Sequence, residues 1–372
     1  MAQQGQNAVL ERAKQYSFLK YSLALVDTAY LVILLLIFCI TNLSKSLAEF
    51  VLNFSSQNYA AIPAYTLIIG IGYYILSLPL NFYRTYTLEH KFSLSKQSLR
   101  DWILDQIKSG IIAYIISLIL IGAFYYILKR SPGYWWLIIS LFWIFFSLVL
   151  AKLMPVVIIP LFFKYKRLSD EELRKRIFSL ADKMRVKILD VFEIDFSKKT
   201  LKANAAFVGV GNTRRVILAD TLKDKYSYNE IEVVLAHEFA HYRLKHLLKL
   251  IAVNSLVTLA LFYLIFITSD GVLSLFGLSS LEDIAALPVI LLYFVLSGII
   301  MQPVENYISR KFEKNADKLA IAATGMKEDF ISTMDKLATQ NLADRNPHPL
   351  IKFFFFDHPP IDERIALAKS FQ

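Results

Sequence analysis

Residues 237–241 read His-Glu-Phe-Ala-His. Positions four apart share one face of a helix, so His237 and His241 can aim imidazole nitrogens at a single zinc ion. Glu238, beside the first of them, is placed to act as general base towards a water that the metal activates. The segment Ser227-Tyr228-Asn229-Glu230 supplies a capping box that opens the required helix just ahead of Ile231, Val234 and Leu235. A catalytic zinc keeps three protein ligands and one open position, so a third ligand is needed. Glu313 is the candidate, in Ser309-Arg310-Lys311-Phe312-Glu313-Lys314-Asn315-Ala316-Asp317. The plainer alternative is a pair of helical histidines matched to carboxylates.

What must position these residues is a membrane. Hydrophobic residues make up 56% of the 372 and charged residues only 19%, against about 45–50% and a quarter in a soluble domain. One core cannot absorb that excess, so lipid is the expected solvent for much of the surface. Scarce glycine (12) and proline (11) argue against disordered and collagen-like chains, and the lone Cys39 excludes an internal disulfide framework. Six apolar stretches follow a polar start: Leu23–Ile40, Ala60–Leu80, Gly110–Leu128, Trp135–Ala151, Leu250–Thr268 and Ile284–Met301. Each approaches the roughly 17–20 residues that cross about 30 Å of hydrocarbon as a helix. The first reads as a retained anchor, because no small-residue cleavage site closes it. Asp27, near one end of it, is expected to be partnered or interfacial.

The expected fold is an all-α polytopic membrane protein of about six transmembrane helices with a small α+β zinc metalloprotease domain. Its divisions are 1–158 (four helices), 159–249 (the polar segment with the zinc helix), 250–303 (helices five and six) and 304–372 (a charged tail with the third ligand). Within the polar segment, Ala205–Val210 and Arg214–Ala219 alternate around Gly211-Asn212-Thr213 and read as a β-hairpin. The net charge of +10 tracks membrane flanks. Basic residues fill the N-terminus and the second loop, while the fifth loop holds Asp270, Glu282 and Asp283 without Lys or Arg. The positive-inside rule therefore places both termini and the 159–248 segment in the cytoplasm. The expected partners are the bilayer and a polypeptide substrate, with no nucleic acid.

Helix five enters the membrane near Leu250 and helix six leaves it near Met301, on the same side. His237 and His241 lie 13 and 9 residues before the first point, and Glu313 lies 12 after the second. At about 1.5 Å per residue, all three stand at roughly the same height on antiparallel neighbours and can meet. Asp317, one turn beyond Glu313, shares its face and could orient a ligand imidazole from behind.

His-Glu-x-x-His followed by Glu-x-x-x-Asp, with membrane helices before and between, resembles the M48 zinc metalloproteases. It is more similar to the Ste24-type CaaX prenyl proteases than to the shorter HtpX branch. The likeness runs from Leu78-Pro79 through Leu88-Glu89-His90-Lys91-Phe92, Pro155 to Pro160-Leu161-Phe162 and Asn204-Ala205. It continues in Ile217-Leu218-Ala219-Asp220-Thr221-Leu222 and Asn306-x-x-Ser309-Arg310, and ends in His358-Pro359-Pro360-x-x-Glu363-Arg364. The resemblance implies an integral-membrane endopeptidase with one zinc on His237, His241 and Glu313 and with Glu238 as base. It implies an edge strand over Ala203, Asn204, Ala205, Ala206, Phe207 and Val208 that receives the peptide through backbone hydrogen bonds. It also implies that His358 and Arg364 contact substrate or the oxyanion, and that His246 and Asn306 support the ligands. The chain departs from the pattern in its six rather than seven spans and in Ala240, where glycine is usual.

The leading expectation is a zinc endopeptidase of membrane-associated polypeptides, prenylated ones among them, in a bacterial, archaeal or endoplasmic-reticulum membrane. Quality-control proteolysis of membrane proteins, as in the HtpX branch, is the alternative within that class. A non-proteolytic metal-binding scaffold or transporter is the alternative outside it. Glu238 argues against the last, since a structural site needs no base and is closed by a fourth protein ligand.

Overall fold

In the computed structural model, which describes residues 2–54, 58–209 and 214–371, fifteen helices and four strands follow one another. Helices α1 (Ala2–Ile40), α2 (Leu43–Phe54), α3 (Asn58–Phe82), α4 (Leu88–Lys91), α5 (Leu99–Arg130), α6 (Trp135–Leu153) and α7 (Ile159–Phe162) form the N-terminal part. Strand β1 (Tyr165–Arg167), α8 (Glu171–Lys183), β2 (Asp190–Ile194), β3 (Ala205–Val208), β4 (Arg215–Ala219), α9 (Asp220–Lys223) and α10 (Tyr228–Arg243) come next. The chain continues through α11 (His246–Leu275), α12 (Leu287–Thr324), α13 (Lys327–Gln340), α14 (Pro349–Phe355) and α15 (Ile361–Lys369).

Among the described residues, six helical segments are long and apolar enough to cross a membrane: Ala8–Ile40, Ala61–Lys91, Leu99–Arg130, Trp135–Phe162, His246–Leu275 and Ile284–Thr324. They coincide with the six apolar stretches but extend well beyond them, because helical hydrogen bonding continues past the point where apolar residues stop. Asp270 consequently lies inside α11, not in the fifth loop. The break at 303/304 falls inside the 38-residue α12, which runs unbroken through Pro303 to Gly325. Gly325 stops it at a positive φ of 71°, which only glycine adopts without strain. The second and fourth spans each pass through a short π-helical stretch, Tyr83–Thr87 and Met154–Ile158. Asp27 is partnered as expected: Arg84 Nη1 donates to its carboxylate at 2.6 Å, tying α1 to the end of the second span.

The apolar membrane core gathers Tyr65, Phe124, Trp135, Ile139, Phe262 and Ile265, with edge-to-face contacts between Phe124 and Trp135 and between Trp143 and Phe262. A separate core lies under the sheet, formed by α8, α10 and α12 around Leu173, Ile177, Met184, Leu235 and Phe239. The hairpin proves to be half of a four-stranded sheet of order β1-β2-β4-β3, with β2 and β4 parallel and the other pairs antiparallel. Strands β1 and β2 were not expected from the sequence: β1 has only three residues, and in β2 the buried carboxylates of Asp190 and Glu193 break the apolar alternation. The described strands end at Val208 and resume at Arg215, and Gly211-Asn212-Thr213 lies outside the described residues. In this order β3 is an edge strand.

Candidate active site

Ser227 opens α10 as anticipated: its hydroxyl accepts from the Glu230 N–H while the Glu230 carboxylate accepts from the Ser227 N–H. Helix α10 stops because Lys245 turns into the left-handed region, at φ 57°, and α11 starts afresh at His246 in a new direction. That bend lifts the His-Glu-x-x-His turns off the axis of the span and lays them against α12. Four small residues make the approach close, Ala236 and Ala240 on α10 and Ala316 and Ala320 on α12, all fully buried.

Across this interface His237, His241 and Glu313 converge, with ligand-type atoms all within 4.8 Å of one another. His237 Nε2 lies 3.0 Å from His241 Nε2, and each is 3.1 Å from a Glu313 carboxylate oxygen. Atoms bound to one tetrahedral zinc at about 2.0–2.1 Å stand about 3.3 Å apart, so the spacing suits that ion. Glu313 Oε2 is buried without a hydrogen bond, although imidazole nitrogens lie 3.1 and 3.4 Å away. A buried carboxylate oxygen left in this way is costly unless a cation satisfies it. Donor set, spacing and orphaned oxygen all fit a metal.

Behind the ligands stands a chain of ion pairs. Asp317 Oδ1 lies 2.8 Å from His237 Nδ1, on the ring side away from Glu313, and so fixes which nitrogen faces the cluster. Arg364 grips Asp317 with two hydrogen bonds, Nε to Oδ2 at 2.8 Å and Nη2 to Oδ1 at 2.6 Å. Arg364 thereby holds Asp317 in place, with Nη2 also 3.4 Å from His237 Nδ1, and it lines the cavity in which the expected substrate or oxyanion contact would be made. Burial opposes charge on His237, but the Asp317 and Glu313 carboxylates prevail and raise it to about 9. His246 Nδ1 sits 3.1 Å from His241 Nδ1, with its ring stacked flat on Phe312. Asn306 is different: it donates to the Phe354 carbonyl at 2.7 Å and so anchors α14 rather than touching a ligand.

A cavity of about 210 Å³ opens beside the cluster, lined by His237, Glu238, His358 and Arg364 on one side and by Ala203, Asn204 and Ala205 on the other. Glu238 is half-buried on its wall, where desolvation pushes the carboxyl up from its ordinary value. His358 points its Nε2 at Glu313 Oε2, 3.4 Å away, and holds Asp357 through Nδ1 at 2.9 Å. Packing around this imidazole opposes its charge, but the Asp357 and Glu313 carboxylates outweigh it and raise its pKa.

Strand β3 is fastened over α10 by Phe207, whose ring meets Phe239 at 5.3 Å and Tyr242 at 5.6 Å. The Ala219 N–H donates to the Asn204 carbonyl. With Ala206 opposite Ile217, the alternation of an antiparallel ladder turns residues 204, 206 and 208 towards β4. It leaves the N–H and C=O of Ala205 and Phe207 on the open side. Ala203 and Asn204 precede the strand, and the Ala203 N–H donates to Asn341 Oδ1.

Sequence reasoning missed the cavity's apolar wall, Leu222, Phe330, Met334 and Leu337, and the Asn341 contact. These residues come from α9, α13 and its C-terminal turn, and nothing in their local spacing marks them. It also missed a polar trio at the start of the edge. Tyr16 donates to Glu89 at 2.5 Å, and Lys202 Nζ donates to Glu89 at 2.8 Å and to the Tyr16 hydroxyl at 2.9 Å. The only available signal was Glu89, within a motif already singled out.

Comparison with known proteins agrees with this geometry. Residues 1–164 match the family described as CAAX prenyl protease N-terminal, five membrane helices, and residues 167–372 match peptidase family M48. A metalloprotease of Bacillus subtilis, YhfN, described as uncharacterized, is 31% identical over 96% of this chain and 85% of its own length. CAAX prenyl protease 1 of Saccharomyces cerevisiae is 31% identical over 78% of this chain and 68% of its own. The crystal structure of S. mikatae Ste24p superposes with a TM-score of 0.88 at 26% identity, covering 98% of this chain and 89% of that one. A His-His-Glu cluster between two helices, a glutamate beside it and six apolar spans thus find their place together: the chain belongs to peptidase family M48, as a multi-pass membrane metalloendopeptidase homologous to Ste24p.

Proposed function

We propose that this protein is a zinc-dependent endopeptidase that cuts membrane-associated polypeptides near their C-terminus, CaaX-type substrates foremost, with its active site on the cytoplasmic face. The carrying observation is the convergence of His237, His241 and Glu313 beside a cavity whose walls are Glu238 and the start of an open strand edge. The names of the yeast and plant relatives, CAAX prenyl proteases, favour a substrate class whose motif is C-terminal by definition. The basic N-terminus and second loop favour the cytoplasmic side.

Zinc on His237, His241 and Glu313 would supply the Lewis acidity that makes water a nucleophile near pH 7. Glu238 takes the water's proton during attack on the peptide carbonyl and returns it to the leaving amine. The raised carboxyl of Glu238 suits both halves of that task. Ala205 and Phe207 bind the substrate backbone on the open edge and keep the scissile carbonyl in register. His358, held by Asp357 beside Glu313, presents positive charge where an oxyanion develops. Arg364 acts through Asp317, keeping His237 in the ligating orientation.

Glu238→Gln keeps shape and removes the base, so zinc stays near one per chain while cleavage falls by about 10²–10⁴. Glu313→Ala is expected to lose zinc as well as activity. Metal analysis and peptide cleavage on the same purified samples decide it; normal turnover in Glu238→Gln ends the mechanism. Matched peptides with and without a farnesyl group test the CaaX preference, and equal cleavage would favour a general membrane-protein protease. Single cysteines at Lys225 and Ser279 in a Cys39→Ser background test sidedness, because labelling of Lys225→Cys alone by an impermeant reagent from outside would reverse it.

A further inference from the structure

We propose that Lys20 captures the C-terminal carboxylate of the peptide, so that the enzyme reads the end of its substrate as well as the bond it cuts; this rests on the peptidase function proposed above.

Direction comes first. A peptide added to the open side of β3 pairs best antiparallel, as β4 does on the other side, because antiparallel ladders are the more stable per residue. Its C-terminal part then runs towards the beginning of β3; the open edge ends at Ala203, whose N–H is already given to Asn341 Oδ1, so the last residues leave the ladder there, beside Lys202. The cavity beside the metal cluster is lined by residues 203–205, so the residues after the cut cross it in that direction. Three such residues span about 10 Å at roughly 3.3 Å each.

Charge at that end comes next. Lys202 is satisfied, since its ammonium binds Glu89 at 2.8 Å and the Tyr16 hydroxyl at 2.9 Å. The trio pins α1 against the start of the edge. Lys20 lies one turn beyond Tyr16 on the same face of α1. It is exposed, and among the described residues no carboxylate stands within ion-pair distance of it. Tyr16, one turn back, touches both Glu89 and Lys202, which sets Lys20 beside the start of the edge, with its ammonium over the Tyr21 ring 5.8 Å from the centroid. The adjacent Tyr21 confirms the placement, with its ring 5.1 Å from Phe355 and 5.6 Å from Phe356. Asp357 is engaged by His358 at 2.9 Å. Lys202 thus takes up Glu89, and among the described residues the Lys20 ammonium is left without a carboxylate partner beside the start of the edge. A terminal carboxylate supplies the missing anion; a C-terminal amide does not.

The full-length, zinc-containing protein in detergent is assayed with one peptide in two forms, C-terminal acid and C-terminal amide. A charge-assisted contact predicts kcat/KM about 10–100-fold higher for the acid. Lys20→Gln should bring the acid-to-amide ratio close to one and Lys20→Arg should keep it high, with zinc content matching the parent in both. Equal rates for acid and amide in the parent, or an unchanged ratio in Lys20→Gln, overturn the proposal while leaving the peptidase reading intact. Cleavage of neither form by the parent overturns both.

Discussion

The His-His-Glu cradle between α10 and α12 and the open edge of β3, the two halves of the proposed reaction site, are built in opposite ways. The cradle is made of side chains, and nearly every one of them is held from behind: His237 by Asp317, Asp317 by Arg364, His241 by His246. The edge presents backbone, anchored on one side by β4 and by the Phe207 ring, with its other side free. Chemistry needs atoms placed to fractions of an ångström, and buried ion pairs between rigid helices provide that. Recognition of varied peptides needs groups common to every peptide, and an unpaired strand supplies those. Damage to the cradle should therefore remove metal, whereas damage to the edge should remove substrate and leave the metal in place.

The largest expected effect attacks the close helix approach. Ala316→Leu forces extra volume between α10 and α12, where Ala236 and Ala240 leave no room. Overpacking costs about 1–3 kcal/mol, and here it also separates Glu313 from the histidines. Zinc and peptidase activity should both fall to background; a zinc-replete variant would show that the helices need not touch so closely.

Next comes Asp317→Asn, which keeps the shape but weakens the hold on His237 and frees Arg364. Loss of such a supporting carboxylate typically costs about 10–100-fold in metal affinity, measurable by competition with a chromophoric chelator. Affinity equal to the parent's would refute the supporting role.

The same titration can be run against pH. His237, raised to about 9 by its carboxylate neighbours, must give up a proton to ligate. Its protonated form dominates below that value, so zinc affinity should rise with pH by about tenfold per unit from neutrality and level off near 9. A flat profile between pH 7 and 9 would contradict the charged imidazole.

At the edge the effects are smaller and of another kind. Ala205→Pro removes an outward N–H and should lower kcat/KM by about tenfold, through KM, with zinc unchanged. Ala206→Pro removes an N–H that faces β4 and should lower the melting temperature instead. Reversal of that pair would mean the ladder is out of the assigned phase. Tyr16→Phe, which loosens the trio that steadies the start of the edge, should raise KM by only about fivefold at constant zinc.

Much of the cradle was readable in the order of residues. The capping box, the i, i+4 histidines, Glu313 and Asp317 are all helical features, and helical neighbours are three or four positions apart in any sequence. Distance along two spans from a common membrane surface even supplied the meeting of α10 with α12. The edge was less legible. Residues 205–208 showed a strand, but its exposed side depends on where β4 and β2 sit, and those placements are non-local. Arg364 was legible only in part for the same reason: its motif marked it, while its partner Asp317 lies 47 residues away.

By itself, then, the sequence determined the membrane class, the six apolar helices and the His-Glu-x-x-His and Glu313 cluster proposed to hold zinc, because hydrophobic length and helical period are local properties that water and lipid act on directly. Tertiary structure alone decided that Ala205 and not Ala206 opens outward, that Arg364 serves Asp317, and that Tyr16, Glu89 and Lys202 meet. Each of those depends on which of many chemically equivalent partners the packing brings within about 3 Å, and hydrogen bonds and ion pairs reward only that final distance.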